Sequence, residues 1–571
     1  MFRWLVRKIL AHFAKRQARR WAQAFDQATH APREVQAALL QRIITRASQT
    51  QFGREHHFSQ IRTLADFRRH LPIRRYEDFE PYIEQVKRGR LDALLGDDRV
   101  HMFALTSGTT ASRKFIPVTD QYLADYRRGW TVWGWHVYQA HPHALMRPIL
   151  QLVSDWEEFH TEAGIPCGSV SGLTAQMQGR AIRWFYCMPA CTAKIRDIQA
   201  KYYVALRLSL PRPLGLIISA NPSTIINLAR TLDRYKEQLI RDLYDGTLWS
   251  GVDVPAEIRA ALRRRLRRAR RRARELEHIA QRTGTLRPVD VWPSLAMLGN
   301  WTGGSVGAYL RLYPRYFDNL PVRDLGLLAS EGRFSIPIED NTSSGVLDIT
   351  SHFFEFIPVD EIESRQPTVL TVDEVQEGRD YFLILTTAYG LYRYNIFDVV
   401  RVTGFYHRTP MIAFLNKGSH FASITGEKLS AFQVSEAMRQ ALGELDLALS
   451  NYTLAPCWDD DRPYYGLFVE KSEPVSEADL LRLADVLDRR LRQANSEYEE
   501  KRKSRLGSIR VLVVAANALH DWDRQRLRRT GGTPEQYKHP VLVPDFSFRE
   551  QLPVVKELAT ASPATHATHA E

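Results

Sequence analysis

The chain has 571 residues, 44% of them apolar and 25% charged, with a formal net charge of +13. That length and composition exclude a disordered polymer and leave room for roughly two to four packed units. The positive charge is local: residues 1–20 hold seven cations and no acid, and residues 259–274 hold ten arginines and no acid, so the rest of the chain is slightly acidic. No base-specific nucleic-acid partner is expected from such a distribution, because the arginine run lacks the interleaved aromatic residues that stack on bases.

Residues 1–30 read as a basic amphipathic helix, with Phe2, Leu5, Val6, Ile9, Leu10 and Phe13 at helical spacing opposite the cations. Charges interrupt every apolar run, which excludes a secretory signal, and no stretch approaches the roughly 20 apolar residues of a membrane span. Three uses of the helix stay open: packing on its own domain, peripheral contact with an anionic membrane through residues 1–20, and service as an import presequence. The four cysteines, Cys167, Cys187, Cys191 and Cys457, form no CxxC pair and read as reduced thiols of a cytoplasmic protein.

Residues 31–415 read as a large domain. Its first part, to about residue 95, is helical. A strand at 99–105 runs into a hydroxyl-rich loop at 106–114, after which Thr119 is placed to cap a helix reaching about residue 141. Short apolar runs at 149–153, 214–219 and 325–329 have the length of buried strands, and Asn221-Pro222-Ser223 opens a helix that glycine can end at Gly246. Strands alternating with helices predict an α/β body, here mixed sheets with helices. Ile258, Leu262, Leu266, Ala269, Ala273 and Leu276 predict that the basic segment 256–280 is a helix with one packed face. From 345 to 414 the pattern turns β-rich. Residues 416–558 read as a smaller, mobile α+β domain, with helices at 430–442 and 477–498, and the Ala/Thr/His/Pro-rich tail 559–571 as disordered.

The sharpest local signal is Thr106-Ser107-Gly108-Thr109-Thr110-Ala111-Ser112-Arg113-Lys114. Hydroxyls and backbone N–H groups donate to phosphate oxygens, glycine admits close approach, and the lysine offsets the accumulated charge. GxxxxGK[ST] is absent, so this is not a Walker loop.

TSGTTxxxK is similar to the phosphate loop of the adenylate-forming superfamily. WTGGS at 301–305, LASEGRFSIP at 328–337, SHFFEFIP at 351–358, TTAYGLYRY at 386–394, NKGSH at 416–420, GEKLS at 426–430 and EQYKHP at 535–540 follow in order. The series resembles the auxin-responsive (Gretchen Hagen three) family of acyl acid amido synthetases over roughly residues 30–545. The resemblance implies a large ATP- and acyl-binding domain followed by a small one. Thr106, Ser107, Gly108, Thr109, Thr110 and Lys114 would bind the phosphates, and Gly303, Gly304 and Ser305 would border the adenine. Glu331 would approach Mg²⁺, and Asp398 would accept from both ribose hydroxyls, since a carboxylate offers two acceptor oxygens to a diol. Lys417, Lys428 and Lys538 are the candidate catalytic lysines. An acyl pocket is expected along the aromatic helix that carries Trp130, Trp133 and Tyr138.

Four positions depart from the family pattern: Ala111 and Phe397 stand where glycine is usual, Arg113 where proline is frequent, and Val541 where arginine is usual. The implied activity is ATP- and Mg²⁺-dependent adenylation of a carboxylic acid, followed by transfer to an amine, in the family an amino acid. Transfer to coenzyme A, or a degenerate anion- or nucleic-acid-binding fold, are the alternatives.

Overall fold

The computed structural model describes residues 2–107, 113–303, 309–362, 364, 366–416, 421–449, 451–460, 462–530 and 539–559. The chain divides into two compact units, one of Met1–Thr106 with Lys114–Leu415, the other of Ser107–Arg113 with Asn416–Glu571.

In the first unit the N-terminal helix spans Phe2–Ala28. Ala22 and Phe25 are buried against Val132, Trp133 and Val137 of the Asp120–Ala140 helix, so its second half packs on its own domain. No helix among the described residues is long and apolar enough to cross a membrane. Thr119 caps the Asp120–Ala140 helix by accepting from the Tyr122 N–H, as the sequence predicts.

Two sheets lead toward the site. Strand Val100–Ser107 lies between Arg113–Thr119 and Pro166–Gly168. A second sheet is all parallel, in the order Ile149–Gln151, Leu216–Ile218, Met297–Gly299, Val322–Arg323. Its strands are short and almost wholly buried, as expected where helices cover both faces. Asn221 caps the Pro222–Arg234 helix through the Ser223 N–H.

Two expectations about helices need correction. The single helix predicted up to Gly246 is two, Pro222–Arg234 and Lys236–Asp245, the second ending on Gly246 at φ +79°. The basic segment 256–280 is also not continuous: helices Ala256–Leu262 and Arg270–Thr283 flank a non-helical stretch. Tertiary bonds hold that stretch open. The Ala269 N–H donates to Leu243 O (2.8 Å), Arg207 Nη2 to Arg267 O (3.3 Å) and Arg268 Nε to Asp245 O (3.1 Å). Adjacent like charges at i,i+3 and i,i+4 weaken the helical alternative further.

A six-stranded antiparallel sheet follows, in the order Ser335–Ile336, Gly345–Leu347, Thr409–Asn416, Tyr394–Tyr406, Asp380–Thr386, Phe353–Pro358. Its inner face and the N-terminal helices share the largest core, which includes Phe52, Phe79, Phe354, Leu383 and Tyr392.

The second unit is a four-stranded sheet ordered Tyr452–Cys457, Tyr464–Glu470, Arg510–Val514, Val554–Leu558. Helices Ala431–Leu445 and Glu477–Ala494 pack on it through Met438, Leu483 and Leu487. The second helix stops four residues before the predicted 498. Extended Asn495 takes the cap of a new helix, Ser496–Ser504, accepting from the Tyr498 N–H.

Candidate active site

Ligands of open α/β folds bind at the carboxyl ends of parallel strands. Here the strand Met297–Gly299 ends in such a turn. Thr302 donates from its N–H (2.6 Å) and its hydroxyl (2.7 Å) to Asp324 Oδ2, while Asp324 Oδ1 accepts from the Gly326 N–H (2.6 Å). The Trp301 indole N–H donates to Gly326 O at 3.0 Å. Burial pushes the Asp324 carboxyl above the usual carboxylate range. At Gly303 a Cβ would lie 3.1 Å from both Phe414 O and Ser343 Cβ, so the backbone approaches too closely for a side chain.

Ser330 and Glu331 form the tip of a hairpin between Leu328–Ala329 and Gly332–Arg333. The Tyr122 hydroxyl donates to Ser330 O (3.1 Å), Ser330 Oγ to Leu105 O (3.3 Å), and the Tyr389 hydroxyl to Glu331 O (3.0 Å). Gly332 has φ +141°, and a Cβ there would sit 2.7 Å from the Tyr389 hydroxyl, so only glycine lets the tip turn beneath these aromatics.

The charged side chains gather around one phenol. Lys114 Nζ donates to the Tyr394 hydroxyl at 3.2 Å, and that hydroxyl donates to Glu331 Oε1 at 3.2 Å. The ammonium also lies 5.4 Å and 5.7 Å from the ring centres of Tyr76 and Tyr394, within cation–π range. Lys114, Glu331 and Asp398 are 8%, 5% and 2% exposed, so their charges act in a low dielectric. Burial, then the charge and hydrogen bond of Glu331, then the charge of Asp398, hold the Tyr394 phenol well above its usual value. The phenol therefore stays protonated and can serve as donor and acceptor at once.

A bulge sets Asp398. Phe382 pairs with Val399 and Ile384 with Asn395, so residues 396–398 face the single residue Leu383. Such bulges re-aim side chains beside active sites. Phe397 occupies it at φ +61°, a conformation suited to the glycine usual in the family, and donates its N–H to Asn395 Oδ1 (2.8 Å). Its ring packs beside Ile73 and Leu415, with the Arg75 guanidinium 5.5 Å from the ring centre. The bulky residue keeps the backbone geometry and is absorbed by neighbouring packing.

Residues 22–322 match the GH3 family N-terminal domain, 345–417 the GH3 family central domain and 432–546 the GH3 family C-terminal domain. The chain belongs to the GH3 family. Among its relatives, jasmonoyl–L-amino acid synthetase JAR6 of Nicotiana attenuata is 24% identical over 94% of this chain and 95% of its own. Indole-3-acetic acid-amido synthetase GH3.3 of Arabidopsis thaliana is 22% identical over 93% and 92%. The fold is that of the GH3.15 acyl acid amido synthetase solved with 2,4-DB, with a TM-score of 0.65 at 20% identity over 95% of this chain and 97% of that one.

In this GH3 chain the remaining predicted residues fall as follows. Gly108, Thr109, Thr110, Gly304, Ser305, Lys417 and Lys538 lie outside the described residues, while Thr106 and Ser107 end the strand before the loop. Lys428 belongs to the other unit, at φ +46° and with its carbonyl accepting from Asn495 Nδ2 (3.4 Å). Glu427 beside it organises that turn by accepting from the N–H groups of Ile424 (2.6 Å) and Thr425 (2.8 Å). Of the aromatic helix, Trp133 is 3% exposed with its indole N–H tied to Asp324 O (2.8 Å), and Tyr138 packs on the same core cluster, so both are used in packing. Trp130 instead faces a guanidinium, with Arg333 Cζ 4.4 Å from its ring centre.

Sequence reading passed over Tyr394, Tyr389 and Arg393, although all stand in the TTAYGLYRY segment. Arg393 has φ +51° and grips Glu355 with two nitrogens (2.8 and 3.2 Å), while Arg68 Nε takes the same carboxylate at 2.8 Å. This triad, with Glu355 and Arg393 buried and Arg68 partly exposed, pins the start of the strand that carries Tyr394 and Asp398.

Proposed function

We propose that this GH3 chain is an ATP-dependent acyl acid amido synthetase. It converts a carboxylic acid to an acyl-adenylate and passes the acyl group to an amine, an amino acid in the reading the relatives favour. In the first half-reaction a carboxylate oxygen attacks the α-phosphorus of ATP and pyrophosphate leaves. In the second, the amine nitrogen attacks the acyl carbonyl, the bond to AMP breaks, and the nitrogen loses a proton. No protein nucleophile is needed, because the adenylate carries its own leaving group.

The task of the site is charge compensation, since two anions must meet. Lys114 would lie against the phosphates together with the hydroxyls and N–H groups of the 106–110 loop. Asp398 would take the ribose hydroxyls. The buried Glu331 carboxylate is the oxygen donor that Mg²⁺ prefers and would hold the ion accompanying the nucleotide, which supplies further neutralisation between the phosphates. Tyr394 keeps Lys114 and Glu331 at a fixed separation. Trp130 is the aromatic residue we retain for the acyl side. Lys417, Lys428 and Lys538 are the lysines to be sorted between the two half-reactions.

The observation that carries this reading is the Lys114–Tyr394–Glu331 hydrogen-bonded chain, with Asp398 acting on the same phenol. The test supplies purified protein with ATP, Mg²⁺ and a carboxylic acid library, and follows labelled pyrophosphate into ATP. Products formed with amino acids or with coenzyme A are then weighed by mass spectrometry. Acid-dependent exchange and an amide product are expected. A thioester formed with no amide would reassign the second step, and exchange absent with every acid would remove adenylation. Alanine at Lys417, Lys428 or Lys538 in turn identifies which lysine serves exchange and which serves transfer.

A further inference from the structure

Two residues beyond Glu331, on the same hairpin, the side chain of Arg333 is 1% exposed. Its Nη1 donates to Leu325 O (2.8 Å) and Ser335 O (3.2 Å). Its Nε and Nη2 are buried and, among the described residues, have no hydrogen-bond partner. These two atoms form one edge of the guanidinium, the fork that matches the two oxygens of a carboxylate.

Among the described residues no carboxylate meets that edge. Asp324 and Asp348 are the acids whose charge reaches Arg333, but both are committed elsewhere. Asp324 accepts from Thr302 and Gly326, and Asp348 from the Thr350 and Ser351 hydroxyls at 2.7 and 2.6 Å. Burial lowers the guanidinium to about 10, which still leaves it a cation at neutral pH. Burying two guanidinium donors with no hydrogen-bond partner is unfavourable, even with Asp324 and Asp348 acting at a distance. Here the guanidinium is also provided for: Gly129 lacks a Cβ where one would collide with Arg333, and Trp130 offers its ring face. Glu331 and Arg333 share no partner in the contacts above, the first meeting Tyr394 and the second Trp130. The cation thus lies two residues along the hairpin from Glu331, against Trp130 and Gly129 and not in the Lys114–Tyr394–Glu331 chain.

Resting on the adenylation reading, we propose that Arg333 is a specificity-determining residue whose Nε–Nη2 fork receives a second carboxylate of the acyl substrate. The acids activated are then dicarboxylic, one end reacting with ATP and the other held by Arg333. A site built to hydrogen-bond a substrate group rejects the analogue lacking it by a factor on the order of 10⁴.

The experiment compares the straight-chain dicarboxylic acids from succinic to sebacic and the three phthalic acids with their monomethyl esters. Acid-dependent pyrophosphate exchange is measured for the wild type, Arg333→Lys and Arg333→Met. The wild type is expected to favour at least one diacid strongly over its half-ester. Arg333→Met should lose about a hundredfold in kcat/KM or more for that diacid, gain on the half-ester, and keep its KM for ATP. Arg333→Lys, which retains charge without the fork, should fall between and also covers the case in which the methionine variant does not fold. Half-esters used as well as diacids by the wild type, or an equal loss on every acid in both variants, would overturn the proposal in favour of a structural arginine or a clamp on the reacting carboxyl. Calorimetric binding of the same diacids without ATP separates the two readings. Binding that Arg333→Lys weakens and Arg333→Met abolishes, with no exchange from any acid, retains Arg333 recognition and removes adenylation.

Discussion

Replacing Tyr394 by phenylalanine removes one oxygen and leaves the ring that fills the core. That oxygen takes a hydrogen bond from Lys114 and gives one to Glu331, each 3.2 Å long. Hydrogen bonds to charged groups contribute about 1.5–3 kcal/mol each, and at this length the lower figure applies. Two such bonds give about 3 kcal/mol, which at about 1.4 kcal/mol per tenfold is a factor of roughly 100. The expected outcome for Tyr394→Phe is therefore about a hundredfold loss in kcat/KM for ATP in pyrophosphate exchange. A fall of about 2 kcal/mol in unfolding free energy from urea titration should accompany it. Because the phenol is held well above its usual value of 10.0, the wild-type rate should show no tyrosine ionisation below that pH. A kcat/KM within about threefold of wild type, at unchanged stability, would refute the idea that this hydroxyl sets the positions of the two charges.

Asp398→Ala should weaken ATP binding by about a hundredfold in calorimetry, the loss of two charge-assisted bonds, and unchanged affinity would remove Asp398 from the ribose site. At Phe397, glycine should change stability by less than about 1 kcal/mol, since relief of the positive φ offsets the lost packing, whereas valine should cost about 2 kcal/mol; urea midpoints decide between them. Asp125 is raised from 3.8 to about 6, chiefly by burial, so the stability it contributes is present below pH 4 and is lost as pH rises to about 6. His352 is lowered from 6.5 to about 4 by burial, so its contribution is present above pH 6.5 and is lost as pH falls toward 4. Each slope amounts to about 3 kcal/mol and the two oppose each other. Wild-type stability should then be nearly flat across this window, while Asp125→Asn rises with pH and His352→Gln falls with it, as read from urea midpoints at each pH. Parallel curves for all three proteins would contradict both assignments.

What the sequence made legible was local chemistry. Thr119 and Asn221 announce helix starts because a short oxygen-bearing side chain before an apolar run satisfies an N–H that has no other partner. Glu331 and Asp398 stand out only because their segments resemble the family's motifs. Tyr394 did not, because a tyrosine among apolar neighbours has the same pattern whether its hydroxyl merely finds a carbonyl or bridges two ions. The arginine run deceived in another way. Its apolar spacing suits one helix, but carbonyls and N–H groups distant in sequence capture the backbone at 267–269, and no periodicity records such bonds. Trp130 and Trp133 are three residues apart on one helix and fare differently, one against a buried cation and the other against a backbone carbonyl. Spacing cannot tell them apart, since the partners come from residues 324 and 333.

The missing side chain at Gly129 ties two positions on different elements into a single heritable unit. A Cβ there would lie 2.4 Å from Arg333 Cδ and 3.1 Å from its Nε, so the arginine side chain over Trp130 would have to shift. Conversely, a short side chain at 333 would leave a void that a methyl group at 129 could fill. On the proposed role of Arg333, a replacement at 333 alone shifts acid preference, whereas one at 129 alone must first be accommodated by the guanidinium arm it meets.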